Sequence, residues 1–154
     1  GKKEQWARRA PIACCETSPG ERPLTMAKVL VVDNDSTTVS LLRILLELDG
    51  HTVLDCGLAI HVLETVFREK PDLILMDVFL SGGDGVALLR QIRAAPATAR
   101  LPVVMTSGME LSEQCAQAGA NSFLLKPYSP EQLAATMKQI LDHKRGSDAP
   151  AQAP

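Results

Sequence analysis

KVLVVDNDS, residues 28–36, runs four aliphatic residues without a polar break into Asp33, Asn34 and Asp35. A strand wet on one face alternates apolar and polar side chains, whereas one covered on both faces is apolar throughout. Val29 to Val32 therefore predict a buried strand of a parallel sheet that stops at Asp33. Past it, Asp35 or Ser36 can cap a helix through Leu48, with Val39, Leu42, Leu45 and Leu46 on a shared face, until Asp49 and Gly50 end it. The same alternation continues along the chain. A second strand spans His51 to Asp55, and a helix from about Leu58 to Glu69 is closed by Pro71. A third buried strand, Asp72 to Met76, ends at Asp77. The loop SGGDG (81–85) leads into a helix from about Asp84 to Ala95, with Asp84 as its N-cap.

Pro102 to Thr106 form the fourth predicted strand, a short helix follows around Glu110 to Ala118, and Ser122 to Leu125 form the fifth strand. The last helix has strong start signals: Ser129 as N-cap, Pro130 at the first helical position and Gln132 three residues after the cap. It is expected to reach His143. Five strands alternating with five helices predict an α/β fold, a doubly wound five-stranded parallel sheet with helices on both faces and ligands at the strand carboxyl ends.

The 154 residues suit one domain of ordinary size, expected over 26–143. Residues 1–25 carry mixed charge and three prolines without helical or strand period, and are expected to be a disordered arm or leader. Residues 144–154 read as a flexible tail or linker. Sixteen Lys and Arg against eighteen Asp and Glu leave a net charge of -2, so the basic excess that nucleic-acid binding draws on is missing. No apolar run has the length of a membrane span, so no membrane partner is expected. Cys14, Cys15, Cys56 and Cys115 lack paired CxxC spacing and His neighbours, and read as reduced thiols of a cytoplasmic protein. His51, His61 and His143 lie scattered without metal spacing, and Met105, Met109 and Met137 read as packing residues.

Asp33 with Asn34 and Asp35, then Asp77, Ser107 and Lys126, all stand at predicted strand carboxyl ends and would share one crevice. Clustered carboxylates repel one another unless a cation sits among them, and Mg²⁺ suits hard oxygen ligands with phosphate oxygens as co-ligands. A Lys opposite the metal and a nearby hydroxyl would neutralise and hold a transferring phosphoryl group. With a carboxylate as nucleophile, the expected chemistry is phosphoryl transfer onto Asp.

VLVVDND (29–35), PDLILMDVFLSGGDG (71–85), LPVVMTSG (101–108) and AGANSFLLKP (118–127) together resemble the receiver domain of two-component response regulators, over residues 28 to 142. The resemblance implies the flavodoxin-like strand order 2-1-3-4-5. It implies that Asp77 accepts a phosphoryl group from a histidine kinase or phosphotransfer protein. Asp33, Asn34, Asp77 and the backbone carbonyl of Phe79 would hold Mg²⁺, Ser107 and Lys126 would contact the phosphoryl group, and Phe123 matches the aromatic switch position. Such a domain assists its own phosphorylation and dephosphorylation without being a turnover enzyme. It signals to a downstream protein, and a phosphorylation-dependent homodimer fits the same pattern.

The sequence departs from that pattern in three places. Asn34 replaces a usual Asp and removes one negative charge, Ser81 replaces a usual Pro, and the segment from Ser107 to Lys126 is shorter by almost one helical turn. Asn34 motivates an alternative, a degenerate receiver that binds partners without phosphorylation. A further alternative is a haloacid-dehalogenase-like phosphatase, because Asp33 to Thr37 fits DxDxT. Such enzymes need another acidic strand end after the Lys.

Overall fold

The computed structural model describes residues 27–148. The expected arm, and residues 149–154 of the expected tail, lie outside the described residues. Five parallel strands form the sheet: β1 (Lys28–Val32), β2 (Thr52–Cys56), β3 (Leu73–Asp77), β4 (Val103–Ser107) and β5 (Ser122–Leu125). Their spatial order is β2-β1-β3-β4-β5. The helices are α1 (Ser36–Leu48), α2 (Val62–Glu69), α3 (Gly85–Ala94), α4 (Ser112–Ala118) and α5 (Pro130–Asp148). No helix among the described residues is long and apolar enough to cross a membrane.

Strand periodicity splits the core in two. Leu30, Val32, Ile74, Met76, Val103 and Met105 face one way and pack with Val62 and Val66 of α2, Leu89 and Ile92 of α3, and Cys115 of α4. Their chain neighbours Val29, Val31, Leu73, Leu75 and Val104 face the other way, against Val39, Leu42 and Leu46 of α1 and Leu133, Met137 and Ile140 of α5. Each fully buried aliphatic side chain contributes about 1.5–3 kcal/mol relative to exposure. Both layers are thus needed, and the unbroken apolar strands follow from two-sided burial.

Local signals act where expected. Asp35, rather than Ser36, caps α1: its Oδ1 accepts from Thr37 N at 3.1 Å and its Oδ2 from the Thr38 hydroxyl at 2.8 Å. Asp84 Oδ1 accepts from Val86 N at 2.9 Å. Ser129 and Gln132 form a reciprocal capping box, Gln132 N donating to Ser129 Oγ at 3.0 Å and Ser129 N to Gln132 Oε1 at 2.8 Å.

Several boundaries differ from expectation. The second, third and fourth strands each begin and end one residue later than read, so Asp77 and Ser107 close their strands instead of following them. The entry to α2 is a 3-10 turn, Ala59–His61. The loop after β3 folds into a hairpin of two-residue strands, Phe79–Leu80 and Gly83–Asp84. Residues 144–148, assigned to the tail, continue α5, because nothing between His143 and Asp148 bars helical geometry as Pro would. Met109 is 58% exposed and so is not a packing residue, whereas Met105 and Met137 are buried.

Candidate phosphoacceptor site

Register alone assembles the crevice. Val32 pairs with Met76, so Asp33 and Asp77 emerge side by side from adjacent strands. Asp77 pairs with Thr106 and Ser107 with Leu125, which places Ser107 and then Lys126 next along the same edge. Lys126 Nζ lies 2.9 Å from Asp77 Oδ2 and 3.2 Å from Asp33 Oδ2, bridging strands that are 93 residues apart in the chain at their most distant. The Asp33 side chain is 5% exposed, that of Asp77 12% and that of Lys126 28%, so solvent screens the three charges weakly. Burial works against the charge on Lys126, but hydrogen bonding to Asp77 and the fields of Asp33 and Asp77 outweigh it and raise the ammonium pKa. Lys126 therefore stays cationic.

The remaining carboxylate oxygens take backbone donors. Asp35 N donates to Asp33 Oδ1 at 2.8 Å and Phe79 N to Asp77 Oδ1 at 3.2 Å. Gly85 is required here, because a Cβ at that position would come within 2.3 Å of the Asp77 carbonyl oxygen. Ser107 is fully buried; its Oγ accepts from Met109 N at 3.0 Å, which leaves its own proton free to donate. Phe123 is half-buried and packs against the core layer beneath α4. Phe79 is 57% exposed at the rim, like Met109.

Asp35 is not part of the crevice. The Thr38 hydroxyl, then the Thr37 N–H, hold its carboxyl below the ordinary range at the start of α1. The DxDxT reading thereby loses its second carboxylate. Asn34 is exposed, and its Nδ2 donates to Ser81 Oγ at 3.2 Å. Sequence reasoning missed Ser81 as a partner of Asn34, since no local pattern links side chains 47 positions apart.

Among the described residues no group of three or more His, Cys, Asp and Glu side chains is placed to hold a metal ion. Asp33 and Asp77 supply carboxylate oxygens there, and Asn34, next to Asp33 in the chain, has an amide oxygen that takes no hydrogen bond among the described residues. That all-oxygen set fits a hard divalent cation that keeps several waters, and it does not fit zinc. A separate groove of about 1310 Å³ runs along the amino ends of the strands, remote from Asp77, lined by Lys70, Arg93, Arg100 and Asn121 among others. Arg93 is already committed there, donating to the carbonyls of Gly119, Thr98 and Leu101 and to Asn121 Oδ1. It ties α3 to the turns before β4 and β5.

Residues 29–138 match the family model of the response regulator receiver domain. The chain belongs to that family. This receiver is 30% identical over 126 residues to the phosphate regulon transcriptional regulatory protein PhoB of Pseudomonas aeruginosa, covering 80% of this chain and 55% of the relative. It is 33% identical over 125 residues to the response regulator MprA of Mycobacterium leprae, covering 79% of this chain and 54% of the relative. The chain thus spans about half the length of the curated relatives it matches. Among solved structures it resembles the receiver domain of the sensor histidine kinase PA1611 from Pseudomonas aeruginosa, with a TM-score of 0.70 and 26% identity, covering 75% of this chain and 98% of that one. That structure has a magnesium ion coordinated in its active-site cleft. The strand order that the resemblance implies is the order observed in this receiver.

Proposed function

We propose that this receiver accepts a phosphoryl group on Asp77 from a histidine kinase or phosphotransfer protein and passes the signal to a downstream protein. The observation that carries the proposal is the bridge of Lys126 Nζ to Asp77 Oδ2 at 2.9 Å and Asp33 Oδ2 at 3.2 Å. Two nearly buried carboxylates held against one ammonium at the sheet's carboxyl edge are poor for stability and suited to chemistry. Asp33, Asp77, the Asn34 amide oxygen and the Phe79 carbonyl would hold Mg²⁺. Bound there, the cation would offset the charge of the attacking carboxylate and of the incoming phosphoryl oxygens.

In the proposed transfer, an Asp77 carboxylate oxygen attacks phosphorus. The new O–P bond forms as the bond from phosphorus to the donor's imidazole nitrogen breaks, and the electron pair leaves with the imidazole. Lys126 shifts its charge from the Asp77 oxygen to a phosphoryl oxygen. Ser107 donates its free hydroxyl proton to another, and drawing that side chain inward opens space into which Phe123 can turn. The output surface is then α4, β5 and α5, and its reader is a protein or a second phosphorylated copy. We place this action in the cytoplasm.

Intact-mass measurement after treatment with acetyl phosphate and Mg²⁺ tests the proposal. One phosphoryl group should be gained, with acetate as the leaving group, and Asp77→Asn should gain none. Labelling that persists in Asp77→Asn would refute the acceptor assignment. Complete absence of an acyl phosphate in the wild type would favour the second reading, a phosphorylation-independent binding module, which rests on Asn34. Steady turnover of a phosphomonoester would revive the phosphatase.

A further inference from the structure

The two positions around the acceptor that depart from the family's usual residues, Asn34 and Ser81, touch each other. Asn34 Nδ2 donates to Ser81 Oγ at 3.2 Å, and among the described residues no hydrogen bond reaches Asn34 Oδ1. A carboxylate at position 34 could meet a cation with either oxygen. An amide cannot, because its NH₂ end carries two donors and no lone pair for a metal. Asn34 therefore loses a charge and also gains a wrong end.

We propose that Ser81 is a positioning residue that occupies the NH₂ end of Asn34 and leaves Oδ1 as the end presented to a divalent cation. This inference rests on the metal-site reading above. Ser81 can serve because it is itself held. Its carbonyl accepts from Ala59 N at 3.1 Å, it forms a parallel bridge with Leu58, and it sits between the two short strands of the hairpin that begins at Phe79. The hydroxyl thus belongs to a braced loop. The effect is mutual: a cation on Oδ1 polarises the amide, and a polarised N–H donates more strongly to Ser81 Oγ.

The test is a Mg²⁺ titration of the full chain followed by ¹H–¹⁵N NMR, which reports backbone amides of the crevice and the side-chain amide of Asn34. Ser81→Ala keeps the carbonyl that accepts from Ala59 N, and it should weaken Mg²⁺ binding by about threefold to tenfold. Ser81→Thr keeps a hydroxyl and should stay within about twofold of wild type. Asn34→Asp should itself tighten binding, and in that background Ser81→Ala should cost less than about twofold, since a carboxylate has no wrong end. An equal loss in both backgrounds would overturn the inference in favour of a general loop defect. Unchanged affinity of Ser81→Ala beside normal wild-type binding would overturn it while leaving the metal site standing. If the wild type shows no Mg²⁺-dependent shift in the crevice, the metal-site reading falls, and this inference with it.

Discussion

Replacing Lys126 by Met is expected to destabilise the unliganded receiver by about 2–3 kcal/mol and to make its stability strongly dependent on Mg²⁺. At an effective dielectric constant of about 20, each ion pair is worth about 5–6 kcal/mol in gross attraction at the 2.9 and 3.2 Å separations. The desolvation of the three groups cancels much of that. Breaking a buried pair costs about 3–5 kcal/mol because the abandoned charge stays buried, and Lys126, 28% exposed, belongs below that range. Met preserves the length and packing of the stem, so the loss isolates the charge. A divalent cation entering the crevice can then stand in for the ammonium. At a hundredfold excess over its Kd, a ligand that binds only the folded state adds about 2.7 kcal/mol, so Mg²⁺ closes most of the gap where the wild type binds it on the order of a hundredfold more weakly than the variant. Urea denaturation of both proteins with and without Mg²⁺ measures this. Equal midpoints without Mg²⁺, or the same Mg²⁺-induced gain in both proteins, would refute the reasoning.

Phe79 and Met109, both more than half exposed at the rim, cannot orient a water for in-line attack on phosphorus, so the phosphorylated state should decay slowly. Phe79→Asn should shorten its half-life, as read by intact mass over time; a wild-type phosphoprotein that decays within seconds would contradict this. Helix α4 has seven residues, no side-chain cap at Leu111, and only Cys115 and Ala118 buried, so amides 109–118 should exchange fastest among the helices and slow on addition of a beryllofluoride mimic. Strong protection without the mimic would move the output surface elsewhere. His51 is nearly buried, with Nδ1 lacking a hydrogen-bond partner among the described residues, and burial lowers its pKa from 6.5 against the opposing pull of Asp49. A depressed His pKa means that the unfolded chain binds more protons below pH 6.5, so this contribution is intact above that pH and is lost as pH falls through the folded value. His51→Leu should flatten the urea-midpoint profile between pH 7.5 and 5.5, and an unchanged profile would exclude His51 as its source.

Short-range physics made much of this protein legible in its sequence. Two-sided burial writes unbroken apolar runs, so β1, β3 and β4 are legible at Val29 to Val32, Asp72 to Met76 and Pro102 to Thr106, the last two read one residue early. Caps bond to backbone two or three residues away, and Asp84 and Ser129 with Gln132 marked the starts of α3 and α5. The strand-end rule places Asp33, Asp77, Ser107 and Lys126 in one crevice from the sequence. Tertiary structure decided what depends on distant chain. Only the register across β1, β3, β4 and β5 turns four strand-end residues into a lysine bridging two carboxylates at hydrogen-bond distance. The partnership of Asn34 with Ser81 depends on how the hairpin after β3 folds back against the end of β1. In α1 the face named by spacing is the face covered: Val39, Leu42 and Leu46 are buried, with Leu45 packed beside them, while the equally apolar Leu41, Ile44 and Leu48 face outward because the sheet covers only one side of the helix.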